Sequence, residues 1–347
     1  MPTASMPSPA LPSAALQAHL AESRASTPGA MLRELVDAGL DRLPLPGHGA
    51  TLERWRALAA AGRHDLSVAK LYEGHTDALA ILHEAQAGPA PAGSAWATWC
   101  AEPPDARVAL RAGADGAYAL HGRKAWCSGA HDVTHAVVSC WNEAGEAMLA
   151  AVDLRQRGVV IGDDGWDAVG MRATRSVDVL FDGARALPLG GPGFYVRRAG
   201  FWHGGAGVAA CWFGAAGALA DALRARLALP QRGARDDPHR LAQLGQVSVL
   251  LGSCAALMRQ AAAVIDRDPG ADAMAAALAL RLHVDAAATA TLAAAGRALG
   301  PGPMCKDPRL ARLFADLPVF LRQSHAERDE EALGRIVAAG GEAPWTL

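Results

Sequence analysis

Gly122-Arg123-Lys124-Ala125-Trp126-Cys127-Ser128-Gly129-Ala130 follows a short alternating run, Tyr118-Ala119-Leu120-His121, and precedes an apolar one, Thr134-His135-Ala136-Val137-Val138-Ser139-Cys140. Glycines at both ends, with a tryptophan and a small hydroxyl residue between them, read as a turn joining two strands. The indole is a rigid flat face, and Ser128 with nearby backbone N–H groups supplies donors, so the turn is a candidate wall for a flat aromatic ligand. Alone, the same residues describe a core tryptophan at a strand end and a serine bonding its own turn. Its neighbours decide.

On either side the pattern is of short strands. Residues 96–100, 107–111, 117–121, 135–140, 148–152, 159–161 and 176–181 are apolar or alternating, and turns at Gly113-Ala114-Asp115-Gly116, Asn142-Glu143-Ala144-Gly145 and Asp163-Asp164-Gly165 separate them. Strands at this spacing predict a compact antiparallel β-barrel or sandwich over residues 94–190. Before it, apolar residues recur at helical spacing from Pro28, and further helices are expected over 51–62 and 65–87, giving an N-terminal helical domain at 29–93 after a flexible stretch at 1–28. The third helix contains Lys70-Leu71-Tyr72-Glu73-Gly74-His75-Thr76-Asp77, whose polar groups are expected to satisfy one another or backbone groups at a domain interface. Gly88-Pro89-Ala90-Pro91-Ala92-Gly93 reads as a linker, and Pro188 to Gly193 as a second one. After it, helices over 204–229, 237–265, 271–299 and 307–338 describe a C-terminal four-helix bundle at 191–347, with Pro230 and Gly233 breaking the first from the second. The fold class is α+β.

Composition narrows the function classes. In 347 residues, 51% are hydrophobic and 20% charged, with a formal net charge of −2, which argues against nucleic acid as a partner. Six dispersed cysteines without a CxxC or paired metal spacing predict reduced thiols in a cytoplasmic protein and no metal site. The start of the chain lacks a basic segment followed by an apolar block, and the alanine-rich runs are interrupted by glycine, so neither a secretory signal nor a membrane span is expected.

Three segments carry a family likeness. Trp99-Cys100-Ala101-Glu102-Pro103 is similar to the Thr-Glu-Pro segment of the acyl-CoA dehydrogenase superfamily, Lys124-Ala125-Trp126-Cys127-Ser128-Gly129 to its Trp-x-Thr/Ser segment, and Gly165-Trp166-Asp167-Ala168-Val169-Gly170-Met171-Arg172-Ala173-Thr174 to the segment before its last β-domain strand. The resemblance spans residues 30–335. It implies FAD held between β domain and bundle, usually across a subunit interface of a homodimer or homotetramer. Trp99, Cys100, Ala101, Trp126, Cys127 and Ser128 would lie near the flavin, with Ser128 in the place of a hydroxyl that hydrogen-bonds the ring. Ala101 replaces the family's threonine and removes one side-chain donor. Arg297, followed by Gly300 and Gly302, resembles a Gln-x-x-Gly-Gly segment, where an arginine would pair with the pyrophosphate. Arg226 lacks the family's surrounding sequence and reads as a solvated helix face.

The likeness fails where chemistry needs it most. The family's base is a glutamate in a loop after the last helix's Arg-Asp-Ala segment; counting from Asp316 puts Ser324 there, beside His325. Three readings follow. In the first, an FAD-dependent dehydrogenase acts on an acyl thioester such as a CoA ester, with His325 or Glu327 as base and an electron-transfer flavoprotein as acceptor. In the second, a flavin monooxygenase of the same fold receives reduced flavin from a reductase. In the third, a flavin-binding or assembly protein has lost its catalytic base.

Overall fold

The computed structural model describes residues 11–228, 237–340 and 345–346. Four helices come first: α1 Pro12–Glu22, α2 Pro28–Asp37, α3 Thr51–His64 and α4 Leu66–Glu84. Seven strands follow: β1 Trp96–Trp99, β2 Val108–Ala112, β3 Tyr118–Cys127, β4 His135–Trp141, β5 Ala147–Asp153, β6 Val159–Ile161 and β7 Val177–Leu189. The rest is helical: α5 Phe194–Arg197, α6 Gly200–Ala228, α7 Pro238–Arg267, α8 Met274–Leu299, α9 Pro301–Lys306, α10 Pro308–Leu321 and α11 Glu327–Ala339. The expected break at Pro230 and Gly233 lies outside the described residues.

Helix starts follow local chemistry. Thr27, Asp65, Asp237 and Asp307 each cap through the side chain, and α2, α7 and α10 carry proline in the first turn, where a missing N–H costs nothing. Residues 12–22 form a regular helix rather than a loose end. Leu16 and Leu20 are buried, and the Ser13 N–H donates to Glu53 of α3. The expected single helix over 307–338 is two, parted by a turn at 322–326 in which Ala326 takes a positive φ of 42°.

Five strands close into a ring in the order β4, β2, β3, β7, β5 and back to β4. The expectation of an all-antiparallel sheet is corrected in two places: β1 runs parallel to β4, in register from Trp96 with His135 to Trp99 with Val138, and β2 meets β4 in parallel within the ring at Ala109 and Trp141. Parallel neighbours need a crossover, and here β2 and β3 provide it between β1 and β4. β3 and β7 are also longer than expected, so residues 122–127 belong to a strand and not to a turn.

The core is continuous from the first helices through the barrel into the bundle. At its centre α6 crosses α3 at backbone contact: a Cβ on Gly62 would meet the Cys211 carbonyl at 2.2 Å, and one on Gly214 the Ala59 carbonyl at 2.0 Å. Contrary to the expectation that no helix suits a bilayer, α6 and α7 are long and apolar enough to span one; the apolar window of α6 is 72% buried in the molecule, that of α7 only 17%.

Candidate functional site

The opening motif is a β-bulge. Between Lys124, paired with Val179, and Cys127, paired with Val177, β3 carries one residue more than β7. Trp126 absorbs it with a φ of +57°, an uncommon conformation for a bulky residue. Its neighbours Ala125 and Cys127 are buried while its own side chain is 51% exposed. The bulge thus holds an indole outward at the end of a barrel strand.

Behind it runs a line of hydroxyls. Trp99 donates through Nε1 to the Ser128 carbonyl at 3.1 Å, the Ser128 hydroxyl lies 2.8 Å from that of Ser176, and Ser176 lies 2.8 Å from Thr174, which donates to the Met171 carbonyl at 2.7 Å. A hydroxyl has one donor and two acceptor sites, so Ser128 retains capacity for a ligand. The loop bearing Met171 is fixed from the bundle: its N–H donates to the Asp316 carboxylate at 2.5 Å, and a Cβ on Gly170 would strike the Ala315 carbonyl at 2.0 Å. Burial raises the Asp316 pKa, partly opposed by that N–H.

The segment after β1 is anchored by charge. Lys124, fully buried, donates to Glu102 at 2.8 Å and to the Ser139 hydroxyl at 2.6 Å, while Glu102 also accepts from Trp141 at 2.8 Å. Half-burial works against the Glu102 carboxylate, but the donors Lys124, Ser139 and Trp141 outweigh it and hold its pKa below the ordinary value. Burial pushes the Cys100 thiol up to about 12 and raises that of Cys127 further, so neither is a thiolate at neutral pH.

Across the gap between α4 and Ser128, four separate segments meet. Lys70 of α4 lies 3.4 Å from Glu73, 3.5 Å from the Gln323 amide oxygen and over the Phe320 ring. Arg281 of α8 donates to the Gln323 carbonyl at 3.2 Å and the Gly205 carbonyl at 2.8 Å, and lies over the Trp212 ring. Lys70 and Gly74 also line, with Thr98 and Ser128, a void of about 10 Å³ between α4 and β1. That space holds no more than a water, so it does not admit a tricyclic ring; the outward face of Trp126 is open to one. The exposed indole, the spare capacity of Ser128 and the solvent-exposed Ala101 beside them fit such a ring.

The candidate residues from the sequence divide accordingly. Trp99, Cys100, Ala101, Trp126, Cys127 and Ser128 share one corner of the barrel. Ser324 is buried in the turn opposite, but His325 turns outward, with its side chain 64% exposed and Nδ1 3.6 Å from Asp329, and Glu327 is exposed on α11. Arg297 is exposed sixteen residues beyond Arg281 on α8, about 24 Å along the axis, and Gly300 caps that end. Neither reaches the corner within one protomer. Lys70, Gln323 and Arg281 were not candidates; only the unusual polarity of 70–77 within an apolar helix signalled any of them.

No family model matches the chain. It superimposes on methanesulfinate monooxygenase MsuC from Pseudomonas fluorescens with a TM-score of 0.79 and 22% identity, covering 98% of this chain and 99% of that one. TdsC from Paenibacillus sp. A11-2, solved with FMN and indole, gives 0.80 and 18% over 96% of both chains. KijD3, solved with FMN and dTDP-3-amino-2,3,6-trideoxy-4-keto-3-methyl-D-glucose, gives 0.78 and 21%, covering 96% of this chain and 93% of its own. This chain has their fold. It is the acyl-CoA dehydrogenase-like fold. A curated relative, amino sugar nitrososynthase DnmZ of Streptomyces peucetius, is 39% identical over 112 residues, which are 29% of this chain. The match spans 27% of that relative's length.

Proposed function

We propose that this protein is a flavin-dependent monooxygenase that takes FMN already reduced by another enzyme and oxygenates a small molecule. What carries the reading is the outward indole of Trp126 on its bulge, backed by the Ser128–Ser176–Thr174 hydroxyls and faced by a turn that offers Ser324 where a dehydrogenase has its base. The carboxylate in the facing wall, Glu73, is held by Lys70. Acyl-CoA dehydrogenation, with its CoA ester and electron-transfer flavoprotein, is therefore not carried forward. The relatives named as monooxygenases and a nitrososynthase, and the FMN bound in two of them, support the same choice. FMN is favoured over FAD because KijD3 and TdsC, which share this fold, were solved with FMN.

Bound reduced FMN supplies two electrons, with which dioxygen gives one atom to the substrate and the other to water. The chain's part is to cover the ring and exclude water. Trp126 supplies one flat wall, and Ser128 orients the ring edge, its own hydroxyl oriented by Ser176. Lys70, Glu73 and Gln323 border the facing side and hold the substrate. The partial match to an amino sugar nitrososynthase makes an amine nitrogen on a sugar the first acceptor to try. The test is turnover with FMN, a flavin reductase, NADH and ¹⁸O₂. Label in an amino-sugar product supports the reading; NADH consumed only to peroxide across sugar-nucleotide, thioether and aromatic panels, or no FMN binding, overturns it.

The exposed apolar face of α7, with Leu241, Val249 and Val264, supports assembly with a second copy. Such a copy brings its own Arg297 and Gly300 as candidates to complete the flavin site, and leaves His325 and Glu327 as candidates beside it.

A further inference from the structure

A second cavity, of about 730 Å³, lies on the other side of α4, between the 41–45 segment, Arg54 of α3 and the Gly-Pro-Ala segment at 88–94. Thr76, Leu79 and Leu82 contribute from α4, and the helical repeat sets Thr76 and Leu79 away from Lys70 and Gly74, which face the flavin corner. The volume falls within the roughly 300–1,000 Å³ of small-molecule sites.

Its wall holds a cation with no ion-pair partner among the described residues. Arg54 is 3% exposed; its guanidinium donates to the Pro44 carbonyl at 3.1 Å and the Thr76 hydroxyl at 3.3 Å, and its Nε–H has no acceptor. The carboxylates whose charge it feels most, Asp77 and Glu73, are held by Arg198 at 2.9 Å and Lys70 at 3.4 Å. Beside it Asp41, 8% exposed, also has an oxygen without a partner. The Trp96 N–H donates to His75 Nδ1 at 3.0 Å, which leaves the proton on Nε2, 3.1 Å from Asp41, so Asp41 is the acceptor in that pair. Leu43, Leu79 and Leu82 with the prolines and alanines of 88–94 form the apolar part of the wall, and Arg42, His83, Gln86 and Ser94 its other polar groups. A buried guanidinium with an unused N–H is costly unless something supplies the acceptor.

We propose that this cavity is a binding site for a small organic monocarboxylate with an apolar body, its carboxylate on Arg54 and its chain against Leu43, Leu79 and Leu82. Asp41 sets the specificity, because a second negative charge on the ligand would meet its carboxylate. The site is independent of the flavin reading, lying on the opposite face of α4 and using none of its residues.

Octanoate is the probe, with octan-1-ol, octylamine and octanedioate as controls, followed by calorimetry on the purified full chain with and without FMN. Saturable octanoate binding, unchanged by FMN and at least about tenfold tighter than any control, is expected. Arg54→Met should weaken it by about tenfold or more, the scale of a lost charged hydrogen bond. Leu79→Trp, which fills the apolar end with Arg54 in place, should abolish it. The proposal is overturned by absence of saturable binding, by equal affinity for the alcohol, by competition with FMN, or by binding that survives Leu79→Trp.

Discussion

Trp126 combines an unfavourable backbone with an exposed aromatic ring, and two such costs at one residue point to a ligand face. Trp126→Ala should weaken FMN binding about tenfold, since an aromatic stack contributes about 0.5–1.5 kcal/mol beyond its area, and a fluorescence-quenching titration reads this directly. Ser128→Ala should cost less, about 0.5–1.5 kcal/mol for one neutral hydrogen bond. Lys124 makes a separable prediction. Its loss in Lys124→Met strands the Glu102 carboxylate; with that side chain 32% exposed, about 1–3 kcal/mol of stability should disappear in urea unfolding at neutral pH. The folded pKa of Glu102 is depressed, so its contribution is complete above the ordinary value of 4.5 and lost as pH falls through the lower folded value. The wild type should therefore show an acid-side decline that is smaller in Lys124→Met, where Ser139 and Trp141 remain as donors. That the segments around Trp99 and Ser128 meet was legible in the sequence, because both stand in motifs of the resemblance, and the Trp99 N–H reaches the Ser128 carbonyl. The facing wall was not. Lys70, Gln323 and Arg281 are separated by tens to hundreds of positions, and their meeting depends on helix packing that no local pattern encodes.

At the scale of elements, strand positions were readable because apolar alternation and Gly-Asp turns are local signals. The length of β3 was not, since Gly122 and Gly129 are turn signals that pairing with β7 overrides between Arg123 and Cys127. α1 was hidden for the opposite reason: its large apolar residues are only Leu16 and Leu20, and contact with α3 orders it. The α3–α6 crossing yields a sharp contrast. Gly→Ala inside a helix ordinarily gains about 0.5–1 kcal/mol. At Gly62 and Gly214 the added methyl meets a carbonyl oxygen, and overpacking of about 1–3 kcal/mol should win. Gly62→Ala and Gly214→Ala should lower the melting temperature, while Gly334→Ala in α11, with open space around it, should raise it slightly.

For the molecule as a whole, the prediction concerns α7. Val249 is 73% exposed on a helix apolar enough for a core. Val249→Glu should shift sedimentation toward the monomer, and if a second copy supplies Arg297 to the flavin, FMN affinity should fall with it. The wild type sedimenting as a monomer at micromolar concentration would remove the assembly proposal. The hydrogen bond between Lys70 and Gln323 joins residues 253 positions apart, and that from Met171 to Asp316 spans 145. A growing chain therefore carries the residues of its barrel corner long before those of the wall across from it. On the proposed flavin reading, a protease that nicks the 322–326 turn would abolish FMN binding while leaving the barrel folded.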